Sequence, residues 1–214
     1  MGRDLIKYWE IPPEWQGETA FVVGGGPSLE GFDAECLRGH RVIVINNSWE
    51  LAPWANILYF CDWKWWDEGL NGTSNGDRVK AEFTGKYVVT PAFAAPYVKT
   101  IELVNKPGLE KLRKTAIRSG HNGGYQAINL AYHLGAKTIV LLGLDMNVNG
   151  KQTHWHAGHP RMTPEVMTRT LTNSMLPHFP ALADDLAVED VQVINANPES
   201  AIKCWPFSEL RNYL

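Results

Sequence analysis

The feature that most restricts how this 214-residue chain can fold is a series of short, unbroken apolar runs separated by stretches of helical periodicity. Val42-Ile43-Val44-Ile45 and Ile139-Val140-Leu141-Leu142 carry apolar side chains at every position, with no polar alternation. A strand with one wet face alternates; a strand that does not alternate is covered on both faces, as in a parallel sheet with crossover helices. Residues 20–23, 56–60, 87–90 and 191–194 read as further strands. The β-α-β repetition predicts a single α/β domain over residues 1–214, a Rossmann-like, mostly parallel sheet with helices on both faces.

Between the strands, Ala127, Ile128, Ala131 and Leu134 follow a 3.6-residue period closed by Gly135, which predicts a helix over 124–134. Residues 164–186 predict a second, with Thr163 as N-cap, Pro164 at its first position and Glu165 in its first turn. Pro177 and Pro180 must break or kink it. Residues 68–80 are polar and Gly-rich, the pattern of a surface loop or mobile lid. The chain from Glu199 onward reads as a helix followed by an aromatic clamp.

Composition removes several function classes. The net charge of −3 with no long basic run gives no general affinity for nucleic acid. No apolar stretch approaches the roughly 18–20 residues that span a bilayer. The first residues, Met1-Gly2-Arg3-Asp4-Leu5, lack the apolar core of a signal peptide, so the expected location is cytoplasmic. Cys36, Cys61 and Cys204 form neither a CxxC pair nor an even disulfide framework, and Cys61 reads as core filler. Trp63, Trp65 and Trp66 crowd behind Asp62, either to stack on a base or sugar ring or to fill a core or a homo-oligomer interface.

Four segments carry candidate chemistry. Gly24-Gly25-Gly26-Pro27-Ser28-Leu29 follows a strand; glycines let backbone approach a ligand, and a following helix start offers free N–H groups to a phosphate, although a tight turn needs the same residues. It is neither GxGxxG nor a P-loop. Asn46, Asn47 and Asp62 end the second and third strands, where open parallel sheets bind ligands and where such residues also cap turns. Arg118-Ser119-Gly120 precedes the most regular helix and is a second anion-friendly segment. Asp145 ends the strongest strand, and His154, His156 and His159 follow in an HxHxxH spacing that suits a general base, a metal site with Asp145, or an incidental loop.

Taken in order, the Gly24–Leu29 loop, Ser119-Gly120, the stretch Ala131 to Lys137, Gly143-Leu144-Asp145 and Gly158-His159 resemble the bacterial lipooligosaccharide sialyltransferases and the related motility-accessory glycosyltransferases and 6-hydroxymethylpterin diphosphokinases. The likeness runs motif by motif over about residues 20–200. It implies the GT-A-variant form of the Rossmann-like fold and a metal-independent, inverting transfer from a nucleotide-activated sugar, with no cofactor. His159 would then deprotonate the acceptor hydroxyl, and Gly25, Ser28, Asn46 and Ser119 would contact the nucleotide sugar; the segments above add Gly24, Gly26, Asp62, Arg118, Gly120, Asp145 and His156 as candidate contacts to the nucleotide or nucleotide-sugar ligand. The loop's second-position asparagine is Gly25 here, and the tyrosines that assist the departing phosphate would fall near Asn147 and Thr153. The diphosphokinase relatives imply instead Mg²⁺ held by Asp62 or Asp145 in pyrophosphoryl transfer. A short stand-alone domain of the kind phage genomes carry, kept as a non-catalytic binding or assembly module, is the third expectation.

Overall fold

The computed structural model describes residues 6–70, 73–90, 97–148, 152–156 and 163–214. Its strands are β1 (Thr19–Val23), β2 (Arg41–Ile45), β3 (Ile57–Phe60), β4 (Gly69–Leu70), β5 (Thr73–Ser74), β6 (Lys86–Val89), β7 (Lys99–Thr100), β8 (Glu102–Val104), β9 (Ala116–Arg118), β10 (Thr138–Leu142) and β11 (Gln192–Asn195). The α-helices are α1 (Trp63–Asp67), α2 (Asn75–Glu82), α3 (Gly123–His133), α4 (Pro164–Thr170) and α5 (Phe179–Val188). Seven strands form one sheet in the order β11-β10-β1-β2-β3-β6-β7, and every neighbouring pair is parallel.

The unalternated runs have the consequence expected of them. Val22, Ile43, Ile45, Tyr59 and Leu141 pack into one apolar layer with α3 and α5. Phe21, Val23, Val42, Val44, Leu58 and Leu142 pack into a second, with Leu37, Trp49, Trp66 and Val79. The fold is therefore Rossmann-like α/β, covered on both faces. From β1 the chain builds outward through β2, β3, β6 and β7, then returns to lay β10 on the other side of β1. That reversal opens a crevice beyond the carboxyl ends of β1 and β10, where ligands of such sheets bind.

Both edges of the sheet are occupied by the chain itself. At β7 the Trp9 N–H donates to the Thr100 carbonyl at 2.7 Å. At β11 Phe207 pairs with Asn195 in parallel fashion, flanked by Asn195 N–H to Pro206 O at 3.0 Å.

Local expectations fare unevenly. Thr163 caps α4 by accepting the Val166 N–H, and Pro164 and Glu165 stand in its first turn. The interruption demanded by Pro177 is a π turn over Leu171–Met175, a 3₁₀ turn over Leu176–His178, and a new start at α5. The stretch 68–80, read as loop, instead holds the β4–β5 hairpin and most of α2. The overlooked signal is Ser74, whose hydroxyl accepts the Asp77 N–H, an N-cap three residues ahead of an acidic residue. Gly76 lets α2 lie against the Trp66 indole, which an added Cβ would overlap. The tail after Glu199 contains no α-helix, only a 3₁₀ turn at Leu210–Asn212; its aromatic contact does form, with Trp205 edge-on to Phe179 at 5.8 Å. Trp65 and Trp66 are buried and Trp63 is exposed. No described helix is long and apolar enough to cross a membrane.

One buried polar contact ties the sheet to α3: the Tyr59 hydroxyl donates to Gln126 Oε1 at 2.7 Å, and Gln126 Nε2 donates to the Ser119 carbonyl at 2.9 Å. Burial pushes the Tyr59 phenol well above its ordinary range, so it stays a donor. Tyr59→Phe leaves Gln126 Oε1 unpaired in the core and should lower unfolding free energy by about 1–3 kcal/mol in urea titration; no loss would mean the pair contributes nothing to the docking of α3.

Candidate functional site

The crevice at the strand ends is a cleft of about 180 Å³. Its floor is the Gly24–Gly26 loop and the Gly143–Met146 turn; its walls are Asn46 and Asn47, the start of α3, the segment carrying His154 and His156, and Met167 and Leu171.

The loop after β1 is zipped to the end of β10, with Gly24 N–H donating to Leu142 O and Gly26 N–H to Gly143 O, both at 2.8 Å. This approach admits no side chain. A Cβ on Gly24 would lie 2.6 Å from the Gly143 carbonyl oxygen, and one on Gly26 would overlap the Asp145 carboxylate. Gly25, between them, takes no part in the zip and lines the cleft.

Opposite stands the start of α3. Asn122 caps it, its Oδ1 accepting the Tyr125 N–H at 3.1 Å. Gly123 and Gly124 follow and line the cleft; the first N–H groups of a helix lack partners within it, and its dipole is positive there. Asn122 Nδ2 lies 3.6 Å from Met146 Sδ and 3.4 Å from Met175 Sδ, so the cap is held by the cleft's soft wall.

Backbone strain is concentrated around the cleft, with Asp190 (φ 54), before β11, the exception among the described non-glycine residues. Asn46 (φ 47), His121 (φ 55) and Met146 (φ 51) are non-glycine residues in the left-handed region, each at a cost of about 1–3 kcal/mol. Asn46 and Met146 line the cleft. Asn46 Oδ1 is buried and has no hydrogen-bond donor among the described residues. An acceptor left so costs about 1–3 kcal/mol, which a ligand O–H or N–H would relieve.

Asp145, 3% exposed, lies at the junction of three loops. Its Oδ2 accepts the Ser28 N–H at 2.7 Å, and its Oδ1 accepts the Ser28 hydroxyl at 2.6 Å and Asn197 Nδ2 at 2.8 Å. Two of the residues singled out in the sequence thus meet each other, and Ser28 does not line the cleft. Asp62 also lies off the lining and caps α1, its Oδ1 accepting the Lys64 N–H at 2.9 Å. Asp145 is engaged by three donors, and among the described residues no group of three or more His, Cys, Asp or Glu is placed to hold a metal.

Arg118, Ser119 and Gly120 are brought together, but behind the cleft rather than on its lining. Arg118 Nε lies 3.1 Å from Glu110 Oε2, and this guanidinium and that of Arg113 hold the Glu110 carboxyl below its usual range although burial opposes them. Ser119 Oγ accepts the His121 N–H at 3.2 Å, and Gly120 (φ 48) passes under the Tyr125 ring. They build the turn that aims α3. The residues at the helix mouth are Asn122, Gly123 and Gly124, and asparagine ahead of two glycines was the available sign of a cap. Asn47, Trp65, Thr153 and the wall residues Met146, Met167 and Leu171 also line the cleft. Trp65 donates its indole N–H to Asn47 Oδ1. The apolar wall carries no sequence signal distinguishing it from core.

The segment 152–156 crosses the glycine loop. Trp155 N–H donates to Gly25 O at 3.2 Å, and Gln152 Nε2 donates to Glu30 Oε2 at 3.2 Å. His154 lies against Gly25, its Nδ1 3.0 Å from Thr153 Oγ1, and the His154 and His156 rings are 5.1 Å apart. His159 lies outside the described residues.

No family model and no curated protein matches the chain in sequence. Solved structures match it in fold. The sialyltransferase CstII from Campylobacter jejuni, in complex with the substrate analogue CMP-3FNeuAc, superposes with a TM-score of 0.50 at 10% identity, covering 89% of this chain and 85% of that one. The same enzyme with cytidine-5′-monophosphate gives 0.51 at 10% identity, over 90% and 85%. The MAf glycosyltransferase from Magnetospirillum magneticum gives 0.54 at 12% identity over 90% of this chain, which spans about a third (34%) of that protein. At such identities the likeness is one of fold.

The Asp145 junction is open to a direct check. Asp145→Ala leaves the Ser28 and Asn197 donors unpaired and should lower unfolding free energy by more than ~2 kcal/mol, with Ser28→Ala losing roughly 1–2 kcal/mol. Denaturant unfolding reads both, and wild-type stability in the aspartate variant would remove the carboxylate from its place as a clamp.

Proposed function

We propose that this protein is a glycosyltransferase-like enzyme that uses a nucleotide-activated sugar. The observation that carries the reading is convergence: the Gly24–Gly26 loop, the N-terminal amides of α3 and Asn46 Oδ1, which has no partner among the described residues, border one cleft. Backbone amides and a helix dipole suit a phosphate, while a buried acceptor beside them suits a ribose or sugar hydroxyl or a base amine. The structural likeness to a sialyltransferase solved with CMP and with CMP-3FNeuAc supports the same reading.

In this proposal the acceptor hydroxyl gives its proton to His159 as its oxygen bonds to the anomeric carbon. The bond from that carbon to the phosphate oxygen breaks, and its electron pair leaves with the nucleotide. The configuration inverts, and no metal takes part. The role of this chain's residues is to orient the phosphate and sugar and to receive the proton.

A thermal-shift screen against CMP, UDP, GDP, ATP and their sugar conjugates, with and without Mg²⁺, tests the donor. A ligand at 100 times its Kd adds about 2.7 kcal/mol of stability. A metal-independent shift with one nucleotide or its sugar is expected. A response confined to ATP with Mg²⁺ would replace the proposal with pyrophosphoryl transfer, and silence throughout would favour an assembly module. Asn46→Gly removes the orphan acceptor yet keeps the left-handed backbone, so it should weaken the responding ligand by roughly 5- to 100-fold without lowering the melting temperature. His159→Ala should cut turnover by a factor on the order of 10²–10⁴ with donor binding intact.

A further inference from the structure

Beside the start of α3, and off the cleft lining, two histidines from distant parts of the chain meet. His121 stands just ahead of the Asn122 cap, and His178 ends the 3₁₀ turn that leads into α5. Their ring centroids are 5.2 Å apart, with the planes inclined by 45°. His121 is exposed and His178 half-buried, and neither lines the cleft. Neither imidazole has a hydrogen-bond or ion-pair partner among the described residues. A neutral imidazole carries one ring nitrogen with a free lone pair, so two such rings side by side offer two donors to an ion.

We propose that His121 and His178 form a two-histidine site for a divalent transition-metal ion of the Cu²⁺, Ni²⁺ or Zn²⁺ class, which clasps the start of α3 to the start of α5. The spacing suits such an ion. A bond of about 2.0–2.1 Å from metal to nitrogen puts each ring centroid about 3.2 Å from the metal, and two rings at a tetrahedral angle then lie about 5.2 Å apart. Imidazole is the ligand that these ions share. Among the described residues no further His, Cys, Asp or Glu makes the pair a group of three. Water therefore completes the coordination sphere, as the exposure of His121 permits.

Both rings are carried by backbone that is already fixed. His121 is held in the left-handed region (φ 55), its N–H donating to Ser119 Oγ at 3.2 Å. Strain of this kind at a non-glycine residue clusters at ligand clamps. His178 lies between Pro177, whose own φ is locked by its ring, and Phe179, which is buried. Phe179 stands edge-on to Tyr125 of α3 at 5.4 Å, and Met175 Sδ lies 3.4 Å from Asn122 Nδ2. These contacts hold residues 121–125 against residues 175–179 and so set one histidine opposite the other. A pair preorganised in this way loses little freedom when an ion arrives, which favours chelation over binding by a single ring. The site is independent of the nucleotide reading: the ion braces the helix whose first amides border the cleft and takes no part in sugar transfer.

The experiment titrates tag-free, metal-stripped protein with CuCl₂, NiCl₂ and ZnCl₂ by isothermal titration, and reads the Cu²⁺ complex by electron paramagnetic resonance. One ion per chain should bind at this site, Cu²⁺ most tightly, with the nitrogen hyperfine pattern of two imidazoles. His121→Asn keeps a residue that tolerates left-handed backbone, and His178→Gln keeps a polar side chain. Each should weaken Cu²⁺ binding by about tenfold or more and reduce the pattern to one nitrogen ligand. Zn²⁺ should raise the Tm of the wild-type protein and leave that of either variant unmoved. His154→Gln/His156→Gln/His159→Gln should retain the site. Three results overturn the proposal: a wild-type protein that binds none of the ions or shows a single nitrogen ligand, binding undiminished in His121→Asn, and binding that disappears with the three loop histidines instead. Because His121 is exposed, its variant decides the matter even where His178→Gln does not fold.

Discussion

The Asp145 carboxylate is the point on which the candidate site depends. A buried charge survives only when its oxygens are engaged, and this one gathers the Ser28 amide, the Ser28 hydroxyl and the Asn197 amide from two other loops. By doing so it fixes the glycine loop after β1 against the end of β10. Gly26 has no side chain because the carboxylate occupies its place, and Gly24 has none because the Gly143 carbonyl does. Ser200 Oγ donating to Leu144 O and Ala201 N–H donating to Asp145 O bring the chain after β11 to the same junction. The acid is thus a fastener, and the surface it shapes is made largely of backbone.

Around that fastener the molecule separates two tasks by face and by edge. Apolar side chains alternate into two layers along each strand, so stability comes from the faces, while the carboxyl edge is left to glycines, asparagines and histidines. The edge carries most of the strain: left-handed Asn46, Met146 and His121, and an acceptor with no donor among the described residues. Such arrangements persist because the rest of the fold over-determines them. A ligand that supplied one O–H or N–H and one anion would satisfy what the protein leaves open.

How much of this was legible in the sequence varies with the kind of constraint. The doubly covered strands and the interrupted helix after Thr163 were legible because burial and proline act locally and strongly. The segment 68–80 was misread because its glycines suggested a loop; Gly76 is there for Trp66, a neighbour ten residues away in sequence. The tail beyond Glu199 carries apolar residues that follow the sheet edge rather than a helical stripe. Of the cleft lining, the glycine loop and Asn46 were legible as residue types at strand ends, and His156 as a member of the histidine run that follows β10. The placement of Arg118, Ser119 and Gly120 behind the cleft was not, since it depends on α3 starting at the Asn122 cap and on the buried Glu110 partner. Nor could composition mark Met146, Met167 and Leu171 as wall rather than core, because the same apolar side chain serves either.

The strands that lie along the two borders of the sheet have a consequence of their own. An open border of a parallel sheet is a row of unanswered amides and carbonyls, ready to recruit any extended polypeptide that drifts by. Here the backbone at Trp9 answers one border and the backbone at Pro206 and Phe207 answers the other. Those two short stretches act as selvedges on woven cloth: each finishes part of a border with the chain's own backbone.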